Sequence, residues 1–375
     1  MYKNLAAAFA AACFFAPVFS QPAAAVAAAT AAAAKPVADK PLAAAFVYVT
    51  PVFDAGWTHQ HDAGRKAAQA ALGKQLKTTI VADVAEGPDA ERVLRDLARS
   101  GNQLIFTTSF GYMEPALRVA RDFPDVKFES ITGYKRADNV ATANARYYEG
   151  RYLSGIAAAR MSQSGVAGYV AGFPIPEVLQ GINAFTLGMR SVNPKAEVKV
   201  VWLDTWFDPA KERDAAMTLM NQGADVLSFH SATNAVMVAA QERGKYAIAY
   251  HSDMRAVAPD AQILAVTHQW GEYYTQRARA VQGGTWKSGD VWGGVREGMI
   301  RLEAFGRKVP AAVQKEVLAQ QQAMAQGRIQ PFSAAKADVR DNTGKVVIAK
   351  GTQLSDAQIL NMNWLVEGVQ GRIAH

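Results

Sequence analysis

The chain has 375 residues, enough for two ordinary domains, and half of it is apolar while 19% is charged, the balance of a globular protein rather than a disordered one. Its formal charge of +7 is dispersed among acids, with no arginine-rich tail or basic helix, which argues against a nucleic-acid partner. Cys13 is the only cysteine, so the chain has no internal disulfide framework.

In chain order, Met1-Tyr-Lys3-Asn is a short cationic start, Leu5 to Phe19 is an apolar run, and Ser20 to Ala34 is alanine-rich. This order predicts a secretory signal peptide over residues 1–24, because the run is shorter than the ~20 residues a membrane span needs. Residues 25–42 read as a flexible leader with alanine and proline. The mature chain is expected in the periplasm, as a monomer. A lipid on Cys13 is the less favoured reading, since the apolar stretch Phe14–Phe19 follows it.

Short apolar runs predict strands at Ala44–Val49, Thr78–Val84, Gln103–Thr108, Val126–Ile131, Val166–Ala171, Val198–Leu203, Asp225–Phe229, Tyr246–Tyr250 and Ile263–Val266. Helical patterns fall at Thr58–Leu72, Asp89–Ser100, Pro115–Asp122, Gly150–Ser162, Glu177–Ser191, Pro209–Gln222 and Asn234–Arg243. Apolar strands alternating with helices imply parallel sheets covered on both faces. Asp208-Pro209 is a helix-start signal, and Gly101, Gly223 and Gly244 stand just past helix ends. The array is long for one doubly wound sheet, so two α/β lobes are expected. The N-terminal lobe would span 43–147 with a return segment near 252–285. The C-terminal lobe would span 148–251 with a segment at 286–375. The chain would cross near Tyr147–Gly155 and return near His251–Ala256. From about Pro310 a glutamine-rich helix gives way to a hairpin strand at Lys345–Gly351 and then to Leu354–Val369.

No dinucleotide fingerprint, phosphate loop or nucleophile elbow is present, and no cofactor is expected. His59-x-His61-Asp62 reads as a solvated helix face rather than a metal site, because i and i+2 do not share a face. His230, His251 and His268 end strands and can meet in space, but enzymatic activity is not expected. Ligands of such sheets bind at the carboxyl ends of strands. Two loops there carry an acid and an indole: Asp54-Ala-Gly-Trp57-Thr58 and Asp204-Thr-Trp206-Phe207-Asp208. Two facing indoles can stack on a planar ligand, worth ~1–3 kcal/mol per base. Asp54 and Asp208 can accept from ring N–H groups. The competing readings are lobe packing for the indoles and helix capping for Asp208.

The same residues resemble the basic membrane protein family of ABC-transporter substrate-binding proteins, which includes purine nucleoside receptors. The resemblance runs through Asp54–Lys66, Phe106–Met113, Phe123–Phe128, Tyr148–Tyr152, Pro176–Asn183, Thr205–Pro209 and Met362–Val369. It implies a type I periplasmic-binding-protein fold, two doubly wound α/β lobes joined by a hinge, with the ligand between them and an inner-membrane ABC permease as partner. It implies Trp57 and either Trp206 or Phe207 as stacking aromatics, with Thr58 in place of an asparagine. His251 or Ser252 stands where the receptors' ribose-gripping aspartate would fall, and Thr267-His268 where a lysine would fall. Loss of those ribose contacts favours a purine nucleobase, adenine first, over a nucleoside. Asp54 and Thr58 are expected to fix the base edge, Phe110 to line the N-lobe wall, and His230 and Asp253 the opposite or hinge side. A nucleoside receptor, a ligand-sensing co-receptor for a membrane signalling protein and an exported nucleoside hydrolase are the alternatives.

Overall fold

The computed structural model describes residues 40–373; the expected signal peptide, Cys13 and nearly all of the leader lie outside the described residues. The chain runs β1 (Leu42–Val47), α1 (Trp57–Leu72), β2 (Leu76–Val81), α2 (Pro88–Arg99), β3 (Leu104–Thr107), α3 (Met113–Asp122), β4 (Lys127–Ile131) and β5 (Val140–Ala145). It continues through α4 (Tyr147–Met161), β6 (Val166–Ala171), α5 (Pro176–Val192), β7 (Glu197–Trp202), α6 (Pro209–Asn221), β8 (Val226–His230), α7 (Ala235–Glu242), β9 (Tyr246–His251) and β10 (Gln262–His268). Then follow α8 (Gly271–Gln282), β11 (Asp290–Gly293), β12 (Ile300–Glu303), α9 (Ala311–Ala325), β13 (Val339–Arg340), β14 (Val346–Ile348), α10 (Asp356–Leu360) and β15 (Val369–Gln370).

Two sheets form two lobes. The first has the order β11-β5-β4-β3-β1-β2 and the second β12-β10-β9-β8-β6-β7-β15. Neighbours are parallel except β10 with β12. The apolar runs of the central strands are buried on both faces, as in Ala44, Phe46 and Val47 of β1 or every residue of β8 and β10. That is the physical reason their sequences lack alternation. Asp208 does cap α6, accepting the Lys211 N–H at 3.0 Å, with Pro209 in the first turn.

The return segment differs from expectation. β10 pairs with β9, so the chain stays in the second sheet through His268, well past His251–Ala256. Only α8 and β11 go back: α8 packs on α1, and β11 extends the first sheet beside β5. The chain then re-enters the second sheet at β12, so the final crossing lies after Gly293 rather than at residue 286. There β10 lies between β9 and β12, and all seven of its residues are buried. Buried Glu129 of β4 anchors the returning piece, accepting from Tyr273 at 2.6 Å, Arg277 at 2.5 Å and Trp286 at 2.6 Å. At the far end, Asn183 donates to the Trp364 carbonyl and accepts from the Val366 N–H, both at 2.8 Å. That side chain holds the C-terminal tail on α5.

Candidate ligand-binding site

In each sheet the strand order reverses at one place, between β1 and β3 in the first and between β6 and β8 in the second. A crevice opens at the carboxyl ends of the strands at such a point. The two crevices face one another across a cavity whose empty space, open solvent at its mouth included, is about 460 Å³. The first lobe contributes Val49, Trp57, Ser109, Phe110 and Thr132; the second contributes Ile175, Glu177, Trp206, His230, Ser231, Ala232 and His251.

The two indoles enter from opposite lobes. Trp57 opens α1, and its Nε1 donates to the Thr108 carbonyl at 2.7 Å, so the ring is tethered across the crevice between β1 and β3. Trp206 follows β7 and packs edge-on to Phe173, with centroids 4.9 Å apart. A Cβ at Gly172 would stand 2.6 Å from its six-membered ring, so only glycine leaves room for the indole there. Aromatic faces contributed by both lobes suit a flat ring.

The polar groups are concentrated on the second lobe. Glu177 Oε2 accepts from Asn144 Nδ2 at 2.8 Å, a contact between lobes, and Oε1 lies 3.4 Å from His230 Nε2. His230 Nδ1 is buried without a hydrogen-bond partner among the described residues. Burial holds the His230 imidazole below its ordinary pKa, and Glu177 beside it opposes that shift. Under the floor, fully buried Arg151 donates to Ser228 Oγ at 3.0 Å and the Phe229 carbonyl at 2.6 Å, and its guanidinium lies 3.3 Å from the centroid of Tyr250. Among the described residues no cluster of three or more His, Cys, Asp or Glu side chains is placed to hold a metal.

A family model described as Bmp, ABC transporter substrate-binding protein PnrA-like, matches residues 42–338. The chain belongs to this family. A purine-binding protein of Brucella abortus (strain 2308) is 47% identical over 328 residues, 88% of this chain and 93% of that one. A candidate ABC-transporter glucose-binding protein of Haloferax volcanii is 37% identical over 276 residues, 74% of this chain and 70% of that one. ABC solute-binding proteins from Aeropyrum pernix K1 (TM-score 0.66, 21% identity, 79% of this chain and 94% of that one) and Conexibacter woesei DSM 14684 (TM-score 0.64, 22% identity, 77% and 98%) share the fold. Substrate-binding proteins of this kind hold a small ligand and deliver it to a membrane permease. The two relatives name different ligands, so family membership leaves the ligand to the residues of the cavity.

Within this Bmp-family frame, Trp57, Phe110, Trp206 and His230 line the cavity together. The other four sequence candidates lie elsewhere. Asp54 is exposed and outside the lining. Thr58 is buried, with its hydroxyl 2.6 Å from that of Thr50. Phe207 is outside the lining and stacks on Phe53, with centroids 5.6 Å apart and planes 18° apart. Asp253 is committed to Arg255, 2.7 Å away, and to Gln262 at 3.0 Å. The expected solvated face at His59–Asp62 is also corrected: His61 and Asp62 are buried. His61 bonds Tyr274 at 2.6 Å, and Asp62 pairs with Arg65 at 2.7 Å and Lys66 at 2.9 Å, because α8 covers this face of α1.

Glu177 is the acid that sequence reasoning missed. It follows a proline in the first turn of α5, where an acid reads as ordinary helix-terminus chemistry. Its placement at the mouth of the β6 loop was the available signal.

Proposed function

We propose that this protein binds a purine nucleobase, adenine first, between its lobes and presents it from the periplasm to an inner-membrane ABC permease, without covalent chemistry. The observation that carries the reading is the pair Trp57 and Trp206, brought from different lobes to one cavity that also holds the carboxylate of Glu177. The indoles supply stacking and Glu177 accepts from a ring or exocyclic N–H. The purine-binding relative in Brucella abortus supports the same ligand class.

A free base is favoured over a nucleoside by what replaces the ribose grip. Ser252 Oγ already accepts the Gly56 N–H at 2.8 Å, and His268 is fully buried. Thr267 donates to Glu303 at 2.6 Å. No carboxylate–ammonium pair is offered to a sugar at these positions. Closure of the lobes over the base follows from differential affinity: a ligand that touches both lobes stabilises the closed form.

Titration calorimetry of the purified mature protein against adenine, hypoxanthine, guanine, adenosine and glucose tests the proposal, after removal of any copurified ligand by unfolding and refolding. Adenine is expected to bind with quenched tryptophan fluorescence and a raised melting temperature. Heat from adenosine or glucose alone would overturn the ligand, and release of free base from adenosine would overturn the absence of catalysis.

A further inference from the structure

Next to the cavity, three buried rings form a chain whose direction is fixed by chemistry. Trp270, at the start of α8, donates from Nε1 to Nδ1 of His268 at 2.5 Å. An indole nitrogen can only donate. Nδ1 of His268 is therefore the unprotonated nitrogen, and its proton sits on Nε2. That Nε2 lies 3.0 Å from Nδ1 of His251. Having the proton, it donates, and Nδ1 of His251 accepts. The remaining proton of His251 is then on Nε2, for which no protein partner exists among the described residues, while the residue lines the cavity.

The surroundings hold this arrangement. Trp270 is fully buried and stacks on Tyr274, with centroids 5.9 Å apart and planes 19° apart. His251 sits at the end of β9 with φ 73°, a left-handed conformation rare for a side-chain-bearing residue and concentrated at functional sites. Its ring lies 3.7 Å from that of Tyr250, which in turn covers Arg151. Burial, reinforced by neighbouring imidazoles and by Arg151, drives His251 well below its ordinary pKa, so neutral rings prevail.

We propose that Trp270 and His268 are positioning residues that lock His251 as an Nε2–H donor facing the ligand, so that His251 selects for a ring-nitrogen acceptor. This rests on the nucleobase reading for the identity of the ligand, though not for the relay itself. Glu177 and His251 would then present one fixed acceptor and one fixed donor to the edge of the same heterocycle. Adenine, with an exocyclic amine and three unprotonated ring nitrogens besides its N–H, matches that pair. A base that places N–H opposite His251 does not.

Two readouts separate the relay from the ligand assignment. Long-range proton–nitrogen spectra of the ¹⁵N-histidine-labelled protein at neutral pH report the tautomers directly. His251 and His268 are both expected with Nε2 protonated and Nδ1 bare; a protonated Nδ1 on either ring overturns the relay. His268→Gln keeps an amide N–H near the position of Nε2 and is expected to preserve the His251 tautomer. His268→Leu or Trp270→Phe is expected to mix the two tautomers of His251, and an unmixed spectrum in a folded variant refutes the positioning role. If both variants fail to fold, the wild-type and His268→Gln spectra still decide.

The second readout is a panel of 1-deaza-, 3-deaza- and 7-deazaadenine. One of the three is expected to bind wild type at least about tenfold more weakly than adenine, because the analogue leaves a buried donor unpaired. That penalty should persist in His268→Gln and shrink in Trp270→Phe. Equal binding of adenine and all three analogues overturns the selective role of His251. If no base binds while the tautomers are as stated, the nucleobase reading fails and the relay stands.

Discussion

Glu177 joins the lobes: one carboxylate oxygen accepts from Asn144 of β5 at 2.8 Å while the other lies 3.4 Å from His230 at the end of β8. The Asn144 contact thus holds the acid in place from the other lobe. Glu177→Gln keeps the shape and removes the charge. A hydrogen bond to a charged group contributes about 1.5–3 kcal/mol, so base affinity should fall roughly ten- to hundredfold. Calorimetry on the variant measures it, and wild-type affinity would remove Glu177 from the binding site.

Trp57 and Trp206 should each matter more than Phe207. Trp57→Ala and Trp206→Ala are expected to weaken binding by about tenfold or more through lost stacking. Phe207 touches Phe53 of the other lobe instead of the cavity. Its removal takes away an aromatic pair worth ~0.5–1.5 kcal/mol, so every ligand should lose a similar factor of roughly two to ten. Selective loss of one ligand in Phe207→Ala would contradict this division of roles.

At Gly56 the backbone of the first lobe packs closely against that of the second. Its φ is 98°, and a Cβ there would stand 2.3 Å from the carbonyl oxygen of Ala232. Gly56→Ala should hold the lobes apart, lowering base affinity by about a hundredfold or more while the protein remains folded. Small-angle scattering should show no compaction on adding adenine. Compaction equal to wild type would show that this contact does not limit closure.

Acid should weaken the fold through its buried histidines. Burial lowers the pKa of His61, His230 and His251, and takes His268 down to about 3. The unfolded chain titrates near 6.5, so it takes up protons first as pH falls. Stability is therefore complete above about pH 6.5 and is lost on descent toward the folded values, by ~1.4 kcal/mol per pH unit for each such ring. Glu129, Glu149 and Glu212 are raised by burial and act with the opposite sign above the ordinary glutamate pKa. Comparing urea unfolding of wild type and His268→Gln between pH 7 and pH 5 isolates one ring. The variant should show the shallower dependence, and equal slopes would mean that His268 is not buried neutral.

The amino-acid order alone determined the strands that are buried on both faces, the helix cap at Asp208, the two lobes and the two indole loops, because these follow from local periodicity, backbone chemistry and the rule that sheets bind at strand ends. It did not determine where the chain turns back at β10, because a buried apolar strand reads the same in either sheet. The tertiary structure alone decided that Trp206 and not Phe207 lines the cavity, since neighbouring side chains after a strand diverge by packing rather than by sequence. It also decided that Glu177, an ordinary first-turn acid in sequence, lines the cavity, and that Trp270, His268 and His251 come within hydrogen-bond reach of one another. Hydrogen-bond direction depends on which nitrogens come within 3 Å, and only the packed molecule brings them there.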